Sequence, residues 1–194
     1  MRRRHALAAG MGEEPEKFIV QDRNIALLGF MGTGKSTVAA LLAQRLGRRV
    51  VEMDAVIEQR AGKPISAIFA DEGEPHFRQL ERALIRELAA QRGLIISCGG
   101  GVVLNPDNVR DLAAGGLVVC LLATPQVVLQ RVAAATHRPL LEGGDKAKKI
   151  LDLLASRRSL YEAVPHRIDT SARTPEEITD LVLALFSQLP AQGN

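Results

Sequence analysis

Aromatic side chains are scarce in this chain. They make up 3% of its 194 residues, with no Trp, one Tyr and five Phe. So few rings argue against a base-stacking surface for single-stranded nucleic acid. Cysteine is rarer still. Cys98 and Cys120 each adjoin an apolar run, which suits free thiols in core strands rather than a disulfide framework. No run approaches the ~18 apolar residues that span a bilayer. Excess charge is also missing. Lys and Arg number 25 against 22 acids, and Arg2, Arg3 and Arg4 alone equal the net +3. The rest is near neutral, so neither nucleic acid nor membrane is an expected partner. The opening stretch "MRRRHALAAGMGEEPEKF" returns to charge after a brief apolar patch, a poor secretory signal. Residues 1–22 read as a loosely ordered tail, with Met11 as an alternative start. Residues 23–190 read as one cytoplasmic domain, and their modest size fits a monomer.

What is present is an alternation. Short apolar runs, "NIALLGF", "RRVVEM", "LIISC", "LVVCLLA" and "HRIDT", are separated by stretches with helical spacing and Gly or Pro punctuation. Strands alternating with helices predict an α/β fold, with a five-stranded parallel sheet covered by helices on both faces. Such sheets bind ligands at the carboxyl ends of their strands. The polar stretch "ATHRPLLEGGDKAKK" reads as a mobile loop, a lid over roughly 136–145.

"GFMGTGKST" matches G-x-x-x-x-G-K-[ST] through Gly29, Gly34, Lys35 and Ser36. A strand precedes it and a helix follows. Its glycines let backbone N–H groups turn inward on phosphate oxygens, so Gly32, Thr33, Gly34, Ser36 and Thr37 become nucleotide contacts. Lys35 reaches the β- and γ-phosphates, and the Ser36 hydroxyl is a ligand for Mg²⁺. The motif indicates a nucleoside triphosphate and leaves the acceptor open.

Three further stretches bear on the acceptor. Glu52 and Asp54 sit at the end of the second strand, where alternate residues share a face. They read either as a pair aimed into a cleft or as two solvated acids, with Asp54 an ordinary helix cap. Arg78 lies early in a helix. It suits a bidentate grip on a carboxylate, or a surface pair with Glu74 or Glu81. Arg138 in the loop is either a clamp for transferring phosphate or a solvated charge. "SCGGGVV" places Gly99, Gly100 and Gly101 directly after a strand, which implies a turn or a close approach to bare backbone.

Taken together these residues resemble the shikimate kinase family, small P-loop enzymes of the nucleoside-monophosphate-kinase type. The resemblance covers nearly everything after residue 22. It is carried by "GFMGTGKST", Glu52 and Asp54, Ile57, Glu58 and Gly62, Ile68 and Phe69, "GEPHFRQLE", "GGGVV", "RPLL", "RRSLY" and "DTSARTPEE". It implies ATP-dependent phosphorylation of the shikimate 3-hydroxyl, with Mg²⁺. Asp54 would orient that hydroxyl, and Arg78 and Arg157 would hold the carboxylate. Gly99, Gly100 and Gly101 would lie against the ring. Arg138 would reach the phosphates from the lid. Arg131, Arg173 and Pro175 would flank adenine, and Phe69 and Phe77 would wall the acceptor pocket. One departure stands out: the family usually has Asp where this chain has Glu52, which lies near Mg²⁺. Two rival readings are a kinase for another polyol acid such as gluconate, and a P-loop module that binds nucleotide without transferring phosphate.

Overall fold

A computed structural model of the chain describes residues 22–134 and 145–190. The expected tail up to residue 21, most of the expected lid, and Arg138 with it, lie outside the described residues.

Five strands, β1 (Asn24–Gly29), β2 (Arg49–Glu52), β3 (Leu94–Ser97), β4 (Gly116–Leu122) and β5 (His166–Asp169), form one sheet. All four pairings are parallel, and the order is β2-β3-β1-β4-β5. Every residue of β1 and β3 is buried, as expected for a parallel sheet covered on both faces. Side chains of β1 alternate between two cores. Ile25 and Leu27 join Val38, Leu42, Val182 and Phe186 on one face. Ala26 and Leu28 join Phe30, Met53, Phe77, Ile85 and Tyr161 on the other.

The covering helices are α1 (Lys35–Leu46), α2 (Met53–Ala61), α3 (Ile65–Asp71), α4 (Gly73–Ala89), α5 (Pro106–Gly115), α6 (Pro125–Ala134), α7 (Asp145–Glu162) and α8 (Pro175–Ser187). The Gly73 punctuation read from the sequence separates α3 from α4, and this residue has φ +82°. A short 3-10 turn, Val102–Leu104, follows the triple glycine. Asn24 ties the entry of β1 to its surroundings. Its amide donates to the Leu88 and Gln91 carbonyls and accepts from the Leu94 N–H.

One expectation about the acids needs correction. β2 is close to the P-loop strand, with β3 between them, but Asp54 is not a strand residue. The strand ends at Glu52, and Asp54 sits in the first turn of α2, where it is not the cap. Strand alternation therefore does not relate the two carboxylates.

The sheet order makes β1 a switch point. The chain moves from β1 outward to β2, returns to β3, and then crosses to β4 on the other side. At such a point the loops after neighbouring strands diverge and leave a crevice. The loops after β1 and β3, with the direct β2–α2 junction, carry several of the residues considered next.

Candidate active site

The loop after β1 is built by close approach. Gly29 has φ +138°, and a Cβ there would run into the Leu121 carbonyl of β4 and lie 2.9 Å from Thr33 Oγ1. Only glycine lets β1 and β4 remain paired while the chain turns. Thr33 is buried and its hydroxyl donates to the Phe30 carbonyl at 2.8 Å. Gly32 and Gly34 have φ +78° and +94°. Helix α1 then begins with no side-chain cap and no acid in its first turn. Its first N–H groups and its positive end are thus open to an anion. Lys35 Nζ donates to the Gly29 and Phe30 carbonyls at 2.8 and 2.9 Å, and Ser36 and Thr37 are exposed at the same end.

Arg131 of α6 closes the loop from the side. Its Nη1 donates to the Gly32 carbonyl at 3.3 Å and to Thr170 Oγ1 at 2.9 Å, and its Nη2 to the Thr170 carbonyl at 2.7 Å. Thr170 is itself tied to the end of β4 through the Leu122 carbonyl. Arg173 donates to the Asp169 carbonyl at 2.6 Å. Pro175 opens α8, where Thr174 and Glu177 form a reciprocal cap. Of the residues expected around adenine, Arg173 and Pro175 share one segment, and Arg131 of α6 joins it to the P-loop.

The triple glycine runs on from β3, whose Ser97 is in register with both Leu27 of β1 and Glu52 of β2. What needs the absence of Cβ atoms is other protein groups. A Cβ on Gly99 would lie 2.7 Å from Asp54 Oδ1 and 3.2 Å from Glu81 Oε1, and one on Gly101 would overlap the Arg78 guanidinium. A Cβ on Gly100 would sit in ordinary van der Waals contact, 3.8 Å from the Gly29 carbonyl and 3.9 Å from the Met31 N and Tyr161 Oη. The other two glycines make room for the side chains that would handle the acceptor. The Gly100 carbonyl accepts from Tyr161 Oη at 2.6 Å and from Arg157 Nη1 at 3.4 Å, so α7 is fastened to this loop.

Arg78 makes the pairs that its second reading named, with Glu74 and with Glu81. Its Nε and Nη2 donate to Glu74 Oε1 at 3.0 and 2.7 Å, and its Nη1 donates to Glu81 Oε2 at 3.0 Å. The guanidinium also lies 5.1 Å from the centre of the Phe77 ring, which in turn packs on Phe69 at 5.0 Å. Phe77 is buried and Phe69 is exposed. Arg78 also borders a cleft of about 380 Å³ shared with Glu81, Gly101, Leu104 and Asn108.

Two groups here went unassigned in the sequence. Glu81 is 1% exposed. Burial pushes its carboxyl above the usual range, against the opposing pull of Arg78. Its signal was the i,i+3 spacing from Arg78, which the sequence offers only as a surface pair. Tyr161 is 2% exposed, and burial raises its phenol to about 12. As the chain's one tyrosine, in "RRSLY", it was visible but had no partner to point to. Lys35, Glu81, Asp54 and Glu52 all act electrostatically on the Cys98 thiol, which burial pushes upward.

A family model for shikimate kinase matches residues 31–186. The shikimate kinase of Pelotomaculum thermopropionicum is 42% identical over 166 residues, covering 86% of this chain and 96% of that one. The solved shikimate kinase from Acinetobacter baumannii, in complex with shikimate, superposes with a TM-score of 0.79 at 35% identity. That match covers 91% of this chain and 100% of the other. A gluconokinase from Sinorhizobium meliloti 1021 superposes with a TM-score of 0.57 at 24% identity, over 86% and 93% of the two chains. This last likeness shows a common fold only. With the family model spanning most of the described domain, the chain belongs to the shikimate kinase family.

Proposed function

We propose that this protein transfers the γ-phosphoryl group of ATP to the 3-hydroxyl of shikimate. The products are ADP and shikimate 3-phosphate, on the route to chorismate and the aromatic amino acids. One observation carries the reading. Asp54, Arg78, the triple glycine and Arg157 converge at the end of β3, beside the P-loop of β1. A carboxylate near a pair of guanidinium groups suits an acceptor with both a hydroxyl and a carboxylate.

Phosphoryl transfer has a loose transition state, so positioning and charge neutralisation supply most of the catalysis. Lys35 leaves the Gly29 and Phe30 carbonyls for the phosphates, and the open N-terminus of α1 holds them. Arg138 adds a further cation. Arg78 and Arg157 fix the acceptor by its carboxylate. Asp54 accepts a hydrogen bond from the attacking hydroxyl, aligns it, and takes its proton late, since a carboxylate is a far weaker base than an alkoxide. Arg131, Arg173 and Pro175 border the adenine.

The donors available for a cation are the Ser36 hydroxyl and the carboxylate of Glu52, both hard oxygens, which is the set Mg²⁺ takes. Among the described residues no cluster of three or more His, Cys, Asp or Glu gathers to hold a metal. This fits an ion that arrives on the nucleotide and keeps its waters. Ser36 would bind it directly and Glu52 through water, and Mg²⁺ would neutralise phosphate charge. The extra methylene of Glu52 is compatible with contact through water.

The protein is further proposed to be a cytoplasmic monomer. Among the described residues no helix is long and apolar enough to cross a membrane. The large exposed apolar residues, Phe69, Leu104, Leu160 and Leu181, are spread over four different segments.

The test is ADP release from MgATP with shikimate, with gluconate, and with no acceptor. Release with shikimate alone is expected. Release with gluconate alone would move the chain to the polyol-acid reading. Tight ATP binding without any transfer would favour a regulatory module.

A further inference from the structure

Arg78 has two carboxylate partners, and they differ in what they can do. Glu81 is buried, with its side chain 2% exposed, and it takes Nη1. Glu74 lies one turn earlier on α4, with its side chain 51% exposed. A single oxygen of Glu74 takes both Nε and Nη2. A guanidinium binds a carboxylate best along one edge, through two parallel N–H bonds. With Nη1 engaged by Glu81, the free edge is Nε–Nη2, and Glu74 occupies it.

We propose that Glu74 is a built-in competitor for the acceptor's carboxylate, holding the binding edge of Arg78 until substrate displaces it. This rests on the reading that Arg78 takes that carboxylate. Glu81 cannot yield, because leaving Arg78 would strand a buried charge. Glu74 can, because its carboxylate swings into water at little cost. The Phe77 ring beneath the guanidinium and Glu81 beside it keep the fork in place during the exchange. Glu74 therefore sets acceptor affinity without touching the phosphates. Its second consequence is selectivity: a neutral polyol cannot repay the loss of the Glu74 pair, so an acceptor without a carboxylate is disfavoured.

The experiment compares wild type with Glu74→Gln, Glu72→Gln and Arg78→Met, reading shikimate KM and kcat separately together with the direct dissociation constant for shikimate. Glu72 is a nearby exposed acid that pairs with Lys63 rather than Arg78. Its variant removes the same charge from the region and leaves Arg78 untouched. Glu74→Gln is expected to lower KM and the dissociation constant about two- to fourfold, the range a half-exposed i,i+4 pair can contribute. Its kcat should stay within error, and Glu72→Gln should match wild type. Arg78→Met should raise KM more than tenfold. An unchanged or raised KM in Glu74→Gln overturns the proposal, as does an equal fall in Glu72→Gln. An unchanged KM in Arg78→Met removes the underlying role of Arg78, and the competitor with it.

Discussion

Glu81 shows that a residue can serve the site at the expense of the fold. Burial raises its carboxyl above the ordinary range although Arg78 pulls the other way. A group with a raised folded pKa contributes fully below its unfolded value near ~4.3 and loses that contribution as pH rises through the folded one. Once pH has passed that folded value, the ionised Glu81 is therefore a cost. Glu81→Gln should unfold at a higher denaturant concentration than wild type at pH 7, with the advantage vanishing toward pH 4. The same variant frees Nη1 of Arg78, and shikimate KM should rise by about tenfold, as for loss of a charge-assisted hydrogen bond. Urea melts at both pH values, run beside steady-state kinetics, separate the two effects. A lower midpoint at pH 7 would show that the pair stabilises the fold after all. Tyr161 allows a cleaner measurement, because it is the only tyrosine and there is no tryptophan. Its absorbance on ionisation reports one group. After a rapid pH jump, before unfolding, the midpoint is expected at about 12. A midpoint at ~10, the free-tyrosine value, would mean that the phenol is not buried as the structure has it.

At the scale of elements, the glycines divide by what they meet. Gly29 has a left-handed φ and faces the backbone of β4, which cannot move without breaking the β1–β4 pairing. Gly101 has an ordinary φ of −95°, and the nearest groups to a Cβ there are side-chain atoms, those of the Arg78 guanidinium. Gly29→Ala should therefore cost the fold about 2 kcal/mol or more. Gly101→Ala should leave the melting temperature nearly unchanged, but push the guanidinium aside and raise shikimate KM about tenfold or more. Melting curves and kinetics on the two variants check both statements, and a melting temperature lost in Gly101→Ala would reverse the assignment. The same contrast explains what was legible in the sequence. The P-loop could be read because strand, glycines, Lys35 and helix are contiguous, so local chemistry determines them. The alternation of strands and helices could be read for the same reason. The order β2-β3-β1-β4-β5 could not, since it depends on which buried strand packs beside which. Asp54 was identified as a site residue but placed on a strand, because the β2–α2 junction has no loop residue to mark it. The use of Gly99 and Gly101 as seats for Asp54 and Arg78 was hidden too, because those contacts join residues far apart in the chain.

For the whole molecule, the sheet separates two tasks that meet at its carboxyl edge. On the proposed function, the loop after β1 and the segment after β5, joined by Arg131 through Gly32 and Thr170, would handle the nucleotide. The loop after β3, with α2, α4 and α7, would handle the acceptor. Ligands that bind only the folded state raise its stability by RT ln(1 + [L]/Kd), or about 2.7 kcal/mol at a hundredfold excess over Kd. In a domain of this size that corresponds to a rise of very roughly 5–10 °C in Tm. Two variants then test whether the halves are independent. Lys35→Met should lose most of the nucleotide-induced shift and keep the shift with shikimate. Asp54→Asn should keep the nucleotide shift in full while losing most turnover, because its carboxylate acts on the acceptor hydroxyl and not on the phosphates. Thermal melts of wild type and both variants, each with MgATP, with shikimate and with neither, give the complete matrix. If Asp54→Asn lost the nucleotide shift as well, Asp54 would belong with Glu52 and Ser36 around the metal, and the division between the two halves of the sheet would fall one residue further along α2.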